Sequence, residues 1–304
     1  MHAIVPAPQT LRRPVTILKV LAAIALWGGS FVATKIALRE LSPLAIIAAR
    51  FGLGLAFLLA LLAWRRQTRL ADRGDLAWLA LLGVIGVTVH QLLQSVGLLT
   101  TTATNSGWMI ALIPVFTAVL ARLMLGEPFG RHKVLGLAAA SAGALVVAAR
   151  GFDLRGLVAN PAPGDGLMLL SAANMALFTT WSKRVIGRYP PAVTMTHVLA
   201  FGWLASLPLA AVDLGWQALP SLTAGGWWSL VFLGVGCSGV AYAFWYDALA
   251  ETDASALASF QYIQPIVTLA VANRVLGEPV TPAVVAGGAA ILAGVWLVNR
   301  ARLP

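Results

Sequence analysis

Leu125-Gly126-Glu127-Pro128 recurs as Leu276-Gly277-Glu278-Pro279, 151 residues further along a chain of 304. Outward from that pair, at the same offset and without gaps, Leu79 falls on Leu230, Gly83 on Gly234, Leu98 on Leu249 and Thr101 on Thr252. Pro114 falls on Pro265, Thr117 on Thr268, Gly136 on Gly287 and Gly143 on Gly294. Nearer the start the offset becomes 148, which places Lys35 on Lys183 and Pro43 on Pro191. Self-similarity at a fixed spacing is the mark of a structural unit made more than once. The copies meet near Pro161–Gly164, so residues 1–160 and 161–304 are each expected to form one unit.

The composition says what kind of unit this is. Hydrophobic residues make up 59% of the chain and charged residues 11%, with a mean hydropathy of +0.84. A soluble domain keeps about 25% charged residues to wet its surface. Here that surface is missing, and the chain must face something apolar, which is the bilayer. Apolar stretches lie at about 17–38, 43–64, 75–99, 102–125, 131–149, 165–186, 191–213, 226–249, 253–276 and 281–299. At roughly 20 residues per span these read as ten transmembrane helices, five in each copy. Five is odd, so the second copy enters the membrane upside down. The expected fold is an all-α integral membrane protein built as two inverted five-helix repeats, an architecture that secondary transporters use.

Charge orients the chain. Of the 21 Lys and Arg residues, fifteen fall on the side of the two ends, from Arg12, Arg13 and Lys19 through Arg65, Arg69, Lys183 and Arg184 to Arg302. Five fall on the other side (Lys35, Arg39, Arg150, Arg155, Arg274), and Arg50 lies within a span. Positive loops stay in the cytoplasm during insertion, so both termini are expected there, in a multi-pass protein of the bacterial inner membrane. Leu11-Arg12-Arg13-Pro14 has the look of a twin-arginine export signal, but the apolar run behind it is too long, and a charged flank of the first helix explains it better.

Other classes fall away. One cysteine and four histidines give neither a disulfide framework nor a metal cluster. No Gly-rich phosphate-binding loop occurs, so neither a nucleotide nor another cofactor is expected. The net charge of +10 does not point to nucleic acid here, because in a membrane protein the placement of charge matters more than its sum.

Polar and aromatic side chains inside the spans mark a candidate substrate site, because they are costly against lipid and turn inward. The first span has Trp27 and Ser30; the third has His90, Gln91 and Gln94; the fourth has Asn105 and Trp108. In the second half, Asn174, Phe178 and Trp181 follow helical spacing on the sixth span. The eighth carries Tyr242, Trp245 and Tyr246, and the ninth Gln261, Tyr262 and Gln264. Amides and freed carbonyls suit ammonium and carboxylate groups, and rings suit an apolar or aromatic side chain. For the mid-span amides interhelical hydrogen bonding is the alternative, as the interfacial belt is for Trp64, Trp78, Trp227 and Trp228. Pro114 and Pro265 fall mid-span at equivalent positions, as cavity-lining hinges or as packing bends.

The chain resembles the EamA-type transporters of the drug/metabolite transporter superfamily over nearly its whole length. The resemblance rests on Trp27-Gly28-Gly29-Ser30-Phe31 with Lys35, on Pro43 with Arg50-Phe51, and on the doubled series from Pro114 through the Leu-Gly-Glu-Pro tetrapeptide to Gly143. It implies a ten-helix inner-membrane carrier that exports amino acids or related small metabolites, closest to the aromatic amino-acid exporters.

All eleven Asp and Glu residues lie at or beyond span ends, and His90 is the one titratable group deep in a cavity-facing stripe. Proton- and sodium-coupled carriers place a carboxylate mid-membrane. A facilitative carrier is therefore expected, with the two bundles rocking about a site between the first, third, fourth, sixth, eighth and ninth spans. Arg50 is expected to serve structure by binding backbone carbonyls, and Lys35 and Lys183 to snorkel at span ends. The partners are a small-molecule substrate and membrane lipid, in a monomer or homodimer. A lipid or polyprenyl-carrier translocase of the same fold is the alternative. A rhomboid-type protease is suggested by Gly236-Cys237-Ser238-Gly239, but every histidine lies upstream of that serine, where the base on a later span is missing.

Overall fold

The computed structural model describes residues 14–67, 71–125, 130–151, 162–182, 185, 188–251 and 260–300. Gly126, Glu127 and Pro128 of the first tetrapeptide, the junction residue Pro161, Lys183, Thr252 and several of the counted arginines (Arg12, Arg13, Arg69, Arg155, Arg184, Arg302) lie outside them.

Every one of the ten apolar stretches carries helix. The first half holds α1 (Pro14–Ala37), α2 (Pro43–Trp64), α3 (Arg73–Gly83), α4 (His90–Thr100), α5 (Ala103–Ile110), α6 (Ile113–Leu125) and α7 (Arg131–Ala148). The second half holds α8 (Pro163–Ser182), α9 (Pro191–Asp213), α10 (Ala224–Val231), α11 (Ala241–Glu251), α12 (Gln264–Leu276) and α13 (Pro282–Arg300). No β-strand occurs among the described residues. Seven helical stretches are long and apolar enough to cross a membrane: Pro14–Ala37, Pro43–Trp64, Arg73–Thr100, Ala103–Met124, Arg131–Ala148, Ala192–Asp213 and Ala224–Ala248. Pro282–Val298 is apolar but shorter.

Hydroxyl caps set several helix starts. Ser42 Oγ accepts the Ala45 N–H at 3.1 Å ahead of Pro43, and Thr102, Thr223 and Thr281 cap α5, α10 and α13 in the same way. Gly277 closes α12 at φ +69°, a conformation open to glycine at little cost, with its N–H on Ala272 O. Large apolar side chains cover the outside: Leu18, Leu123, Leu135 and Val212 are 59–79% exposed. The core is largely apolar as well, and set within it Arg50, His90, Gln94, Asn105 and Ser171 are buried. Large apolar side chains on the outside suit a lipid surround.

Small residues let the helices meet backbone to backbone. A Cβ on Gly136 would stand 2.5 Å from Gly294 O, and one on Gly143 would stand 2.5 Å from Gly287 O. Helices α7 and α13 therefore touch along a seam that the glycines open. A Cβ on Gly54 would meet Ser238 Cβ at 2.5 Å and Gly234 O at 3.1 Å; one on Gly202 would meet Val87 Cβ at 2.5 Å and Gly83 O at 2.6 Å. The offsets of 148 and 151 turn each of these contacts into the other member of its pair. At matching places, too, the third and eighth stretches widen into π-helical turns, Val84–Val89 and Phe232–Val240. Such turns lodge an extra residue and re-aim the helix behind them, in these two cases the helices that carry His90 and Tyr242.

Candidate functional site

The fourth stretch breaks at Ala111–Leu112, and the ninth runs through a 3₁₀ turn at Gln261–Ile263 before α12. Pro114 and Pro265 sit just after these breaks, in the first turn of the next helix, where a missing N–H removes no helical bond. Between the two breaks lies a cavity of about 360 Å³. That volume suits a small solute.

Twelve of the sixteen expected binding residues line it: Trp27 and Ser30; His90, Gln91 and Gln94; Phe178; Tyr242, Trp245 and Tyr246; and Gln261, Tyr262 and Gln264. Pro114 and Pro265 line it as well. One wall is a cluster of rings. Trp27 meets Tyr242 edge-on at 5.5 Å between centroids and Trp245 at 5.3 Å, and Tyr242 stacks on Tyr246 at 6.2 Å. Trp27 Nε1 donates to Cys237 O at 3.1 Å, which fixes the indole against the π-turn. Ser30 Oγ donates to Trp27 O at 2.6 Å.

The opposite wall is amide and imidazole. Gln91 Oε1 accepts from Arg50 Nη1 at 3.0 Å. His90 Nδ1 lies 2.8 Å from Ser171 Oγ, and Gln94 Nε2 lies 3.2 Å from His90 Nε2. Ser171 Oγ donates on to His90 O at 3.1 Å. With Gln94 donating, the Nε2 of His90 accepts and its Nδ1 carries the proton toward Ser171, so both ring nitrogens are engaged within the protein.

Four expected residues stand elsewhere, each for a local reason. Asn105 Nδ2 turns to Asp165 Oδ2 at 3.2 Å, where a buried carboxylate outcompetes an open cavity for an amide donor. Trp108, 3% exposed, fills the space over Gly288, where a Cβ would stand 2.4 Å from its ring. Asn174 Nδ2 donates at 2.7 Å to Ile85 O in the first π-turn, whose widened ladder needs an outside partner. Trp181 pairs with Trp78 at 5.7 Å, and its carbonyl accepts the Trp78 Nε1–H.

Sequence reasoning missed the second and seventh stretches, which add Arg50, Thr194, Met195 and Val198 to the lining. The signal was a charge inside a span, with the repeat pointing from Arg50 to Val198. Arg50 binds the side chains of Gln91 and Ser238 (Nε to Oγ, 3.4 Å), not the backbone carbonyls expected of it. Ser238 thus faces a guanidinium, while the His90 imidazole is engaged by Ser171 and Gln94 instead.

The cavity reaches one end of the bundle at Ser182, Tyr189 and Thr194. The other end of α8 is tied shut. There Lys35 Nζ donates to Thr101 O, Thr101 Oγ1 donates to Asp165, and the N–H groups of Ala103 and Thr104 donate to Glu278 at 2.8 and 2.9 Å. At the Ser182–Tyr189 end the polar contacts form two sets. Lys19 and Arg65 share Asp247 at 3.0 and 2.6 Å, joining α1, α2 and α11. Arg188 and Tyr189 share Asp75 at 2.7 and 2.8 Å, joining α3 to the α8–α9 turn. A second concavity, lined by Ala22, Gly29, Val32, Phe232 and Val275, shares no lining residue with the first.

Known proteins agree with this picture. The EamA-like transporter family matches twice, over residues 14–149 and again over 162–300. A transporter without an assigned substrate from Archaeoglobus fulgidus is 28% identical over 91% of this chain and 95% of its own. A probable terminal-alkyne amino-acid exporter of Streptantibioticus cattleyicolor is also 28% identical, over 91% of each chain. A crystal structure with 22% identity covers 94% of this chain and 98% of that one with a TM-score of 0.62, a likeness of fold. With matches over both halves and a central cavity ringed by helices with apolar outer faces, the chain belongs to the EamA-like transporter family: it is a multi-pass membrane transporter, not an enzyme.

Proposed function

We propose that the protein is a secondary transporter that exports amino acids or closely related amphipathic metabolites across the cytoplasmic membrane by alternating access, without ion coupling. The observation that carries this reading is the cavity, to which both halves contribute matching positions. Gln91 and Tyr242, Gln94 and Trp245, Ile110 and Gln261, Ala111 and Tyr262, Ile113 and Gln264, and Pro114 and Pro265 are partners at an offset of 151. Trp27 and Met175, Ser30 and Phe178, and Arg50 and Val198 are partners at 148. The paired glycine contacts and the double family match support two inverted five-helix units, residues 1–160 and 161–304, that span the membrane ten times with both ends in the cytoplasm.

On this reading the structure is the form open to the cytoplasm. The outer end is latched through Lys35, Thr101, Asp165 and Glu278, and the helix breaks before Pro114 and Pro265 are the hinges. Exchange of the two halves' conformations unlatches the outer end and closes the Ser182–Tyr189–Thr194 mouth. The absence of Asp and Glu from the lining among the described residues, and the engagement of both His90 nitrogens, support facilitated movement down a gradient.

The test is uptake of a labelled amino-acid panel into liposomes holding the purified protein, with and without a pH gradient. Saturable equilibration of one or more amino acids, unchanged by the gradient, is expected. No uptake of any of them overturns the substrate class, and accumulation driven by the gradient overturns the facilitative mode.

A further inference from the structure

Among the described residues Arg50 is a buried cation without a counter-ion. It is 6% exposed, lies about a third of the way along α2 and lines the cavity. Among the described residues its partners are Gln91 Oε1 at 3.0 Å and Ser238 Oγ at 3.4 Å, both neutral, with the Phe51 ring 4.9 Å from its Cζ. A guanidinium has five N–H donors, and these contacts use two. Among the described residues no Asp, Glu, Lys or second Arg lines the cavity. A charge held away from water and lipid is normally paired, because leaving it bare costs several times what a lost neutral hydrogen bond does. The position that matches Arg50 in the other half is Val198, which lines the same cavity. The cavity therefore has a single positive pole, facing Val198, Met195, Leu82 and Phe178 among its apolar walls.

We propose that Arg50 is the anion subsite of the cavity and takes the carboxylate of the transported solute, with Gln91 and Ser238 holding the guanidinium in place. The planar fork of one arginine matches one carboxylate through two parallel hydrogen bonds. Gln91 and Ser238 fix its angle from two other elements, α4 and the second π-turn. The Trp27, Tyr242 and Trp245 rings line the same cavity and supply an aromatic surface for an ammonium group or an apolar side chain. The class of solute is a monocarboxylate with an apolar body, of which zwitterionic amino acids are one case. Free amines, which bring only positive charge, are disfavoured by the same pole. The substrate class here rests on the transport reading above, but the subsite does not require transport to occur.

The experiment compares isosteric acid and amide probes on the purified full chain, by displacement of intrinsic tryptophan fluorescence or by calorimetry. The probes are L-phenylalanine against L-phenylalaninamide, and 3-phenylpropanoate against 3-phenylpropanamide. Wild type is expected to bind each acid about tenfold or more tighter than its amide. Arg50→Gln is expected to abolish that preference, and Arg50→Lys to keep a reduced one, since an ammonium supplies charge without the fork. Equal binding of acid and amide by wild type, binding of neither, or an undiminished preference in Arg50→Gln overturns the proposal. The wild-type arm stands even where a variant fails to fold. Amino-acid flux in liposomes with no acid preference sinks the subsite and leaves the transporter reading intact. An acid preference with no flux does the reverse.

Discussion

The two sides of the cavity occupy matching positions and carry opposite chemistry. Where one half presents Trp27, Arg50, Gln91 and Gln94, the other presents Met175, Val198, Tyr242 and Trp245. The glycine seams, by contrast, are nearly interchangeable between halves, with approaches of 2.5–2.8 Å on either side. The matching positions that hold helices together have stayed alike, and those that line the cavity differ. Packing is under the same geometric demand in each copy, whereas a site that orients an amphipathic molecule needs two unlike poles.

The sharpest way to break that contrast is at the seams. Gly143→Leu and Gly294→Leu push side chains into backbone atoms of the facing helix, which no rotamer change relieves. Each is expected to cost about 3 kcal/mol or more, roughly 10 °C in melting temperature in detergent, with the two variants alike. Gly74→Leu and Gly166→Leu, where a Cβ meets nothing within 4 Å, are expected to melt close to wild type. A large effect in only one member of the seam pair would show the halves to be packed differently.

Next in size is the ring wall. Trp27→Ala removes contacts to both Tyr242 and Trp245, each worth about 0.5–1.5 kcal/mol, and is expected to weaken apparent affinity for a transported amino acid about tenfold. Met175→Ala, at the matching position, is expected to shift it about twofold, since a flexible thioether adapts to its surroundings. Measured half-saturation in liposomes decides between them, and equal effects would contradict the two-pole reading.

His90→Gln comes third. Because both imidazole nitrogens are spent on Ser171 and Gln94, the transport rate of wild type and variant is expected to be flat between pH 6 and 8, with the variant within about threefold of wild type. A sigmoidal wild-type profile that the variant flattens would make His90 a proton-coupling group.

The smallest effect lies outside the membrane. Glu40 accepts from the Thr223 hydroxyl and N–H, both at 2.7 Å, and these bonds hold its carboxyl below the usual range. A depressed carboxyl stabilises the fold above its unfolded pKa, and the gain fades as pH falls through the folded value. Glu40→Gln should therefore melt slightly below wild type at pH 7 and match it in acid. A gap that persists in acid would rule out ionisation as its source.

Much of the fold was readable in the chain because bilayer thickness and helical rise leave few options for twenty apolar residues in a row. Two features were not. The π-turns at Val84–Val89 and Phe232–Val240 have no composition of their own, and the partner that steadies the first, Asn174, sits on another helix. The site was half readable. Polar residues in spans turn inward, but turning inward does not mean reaching the cavity: Asn105 found Asp165 and Trp108 found Gly288. Arg50 was visible as a charge in a span, yet its Gln91 and Ser238 partners come from distant stretches that only the folded chain brings together.

Two-sided access to the cavity is the most direct test. Met175→Cys places a thiol in the lining, and the native Cys237 is fully buried and serves as background. Membrane-impermeant maleimide, applied to intact cells and to inside-out vesicles, is expected to label Met175→Cys from both faces, with protection by a saturating amino acid. Labelling from the cytoplasmic face alone, under every condition of turnover, would mean that the outer latch never opens and that the halves do not exchange conformations.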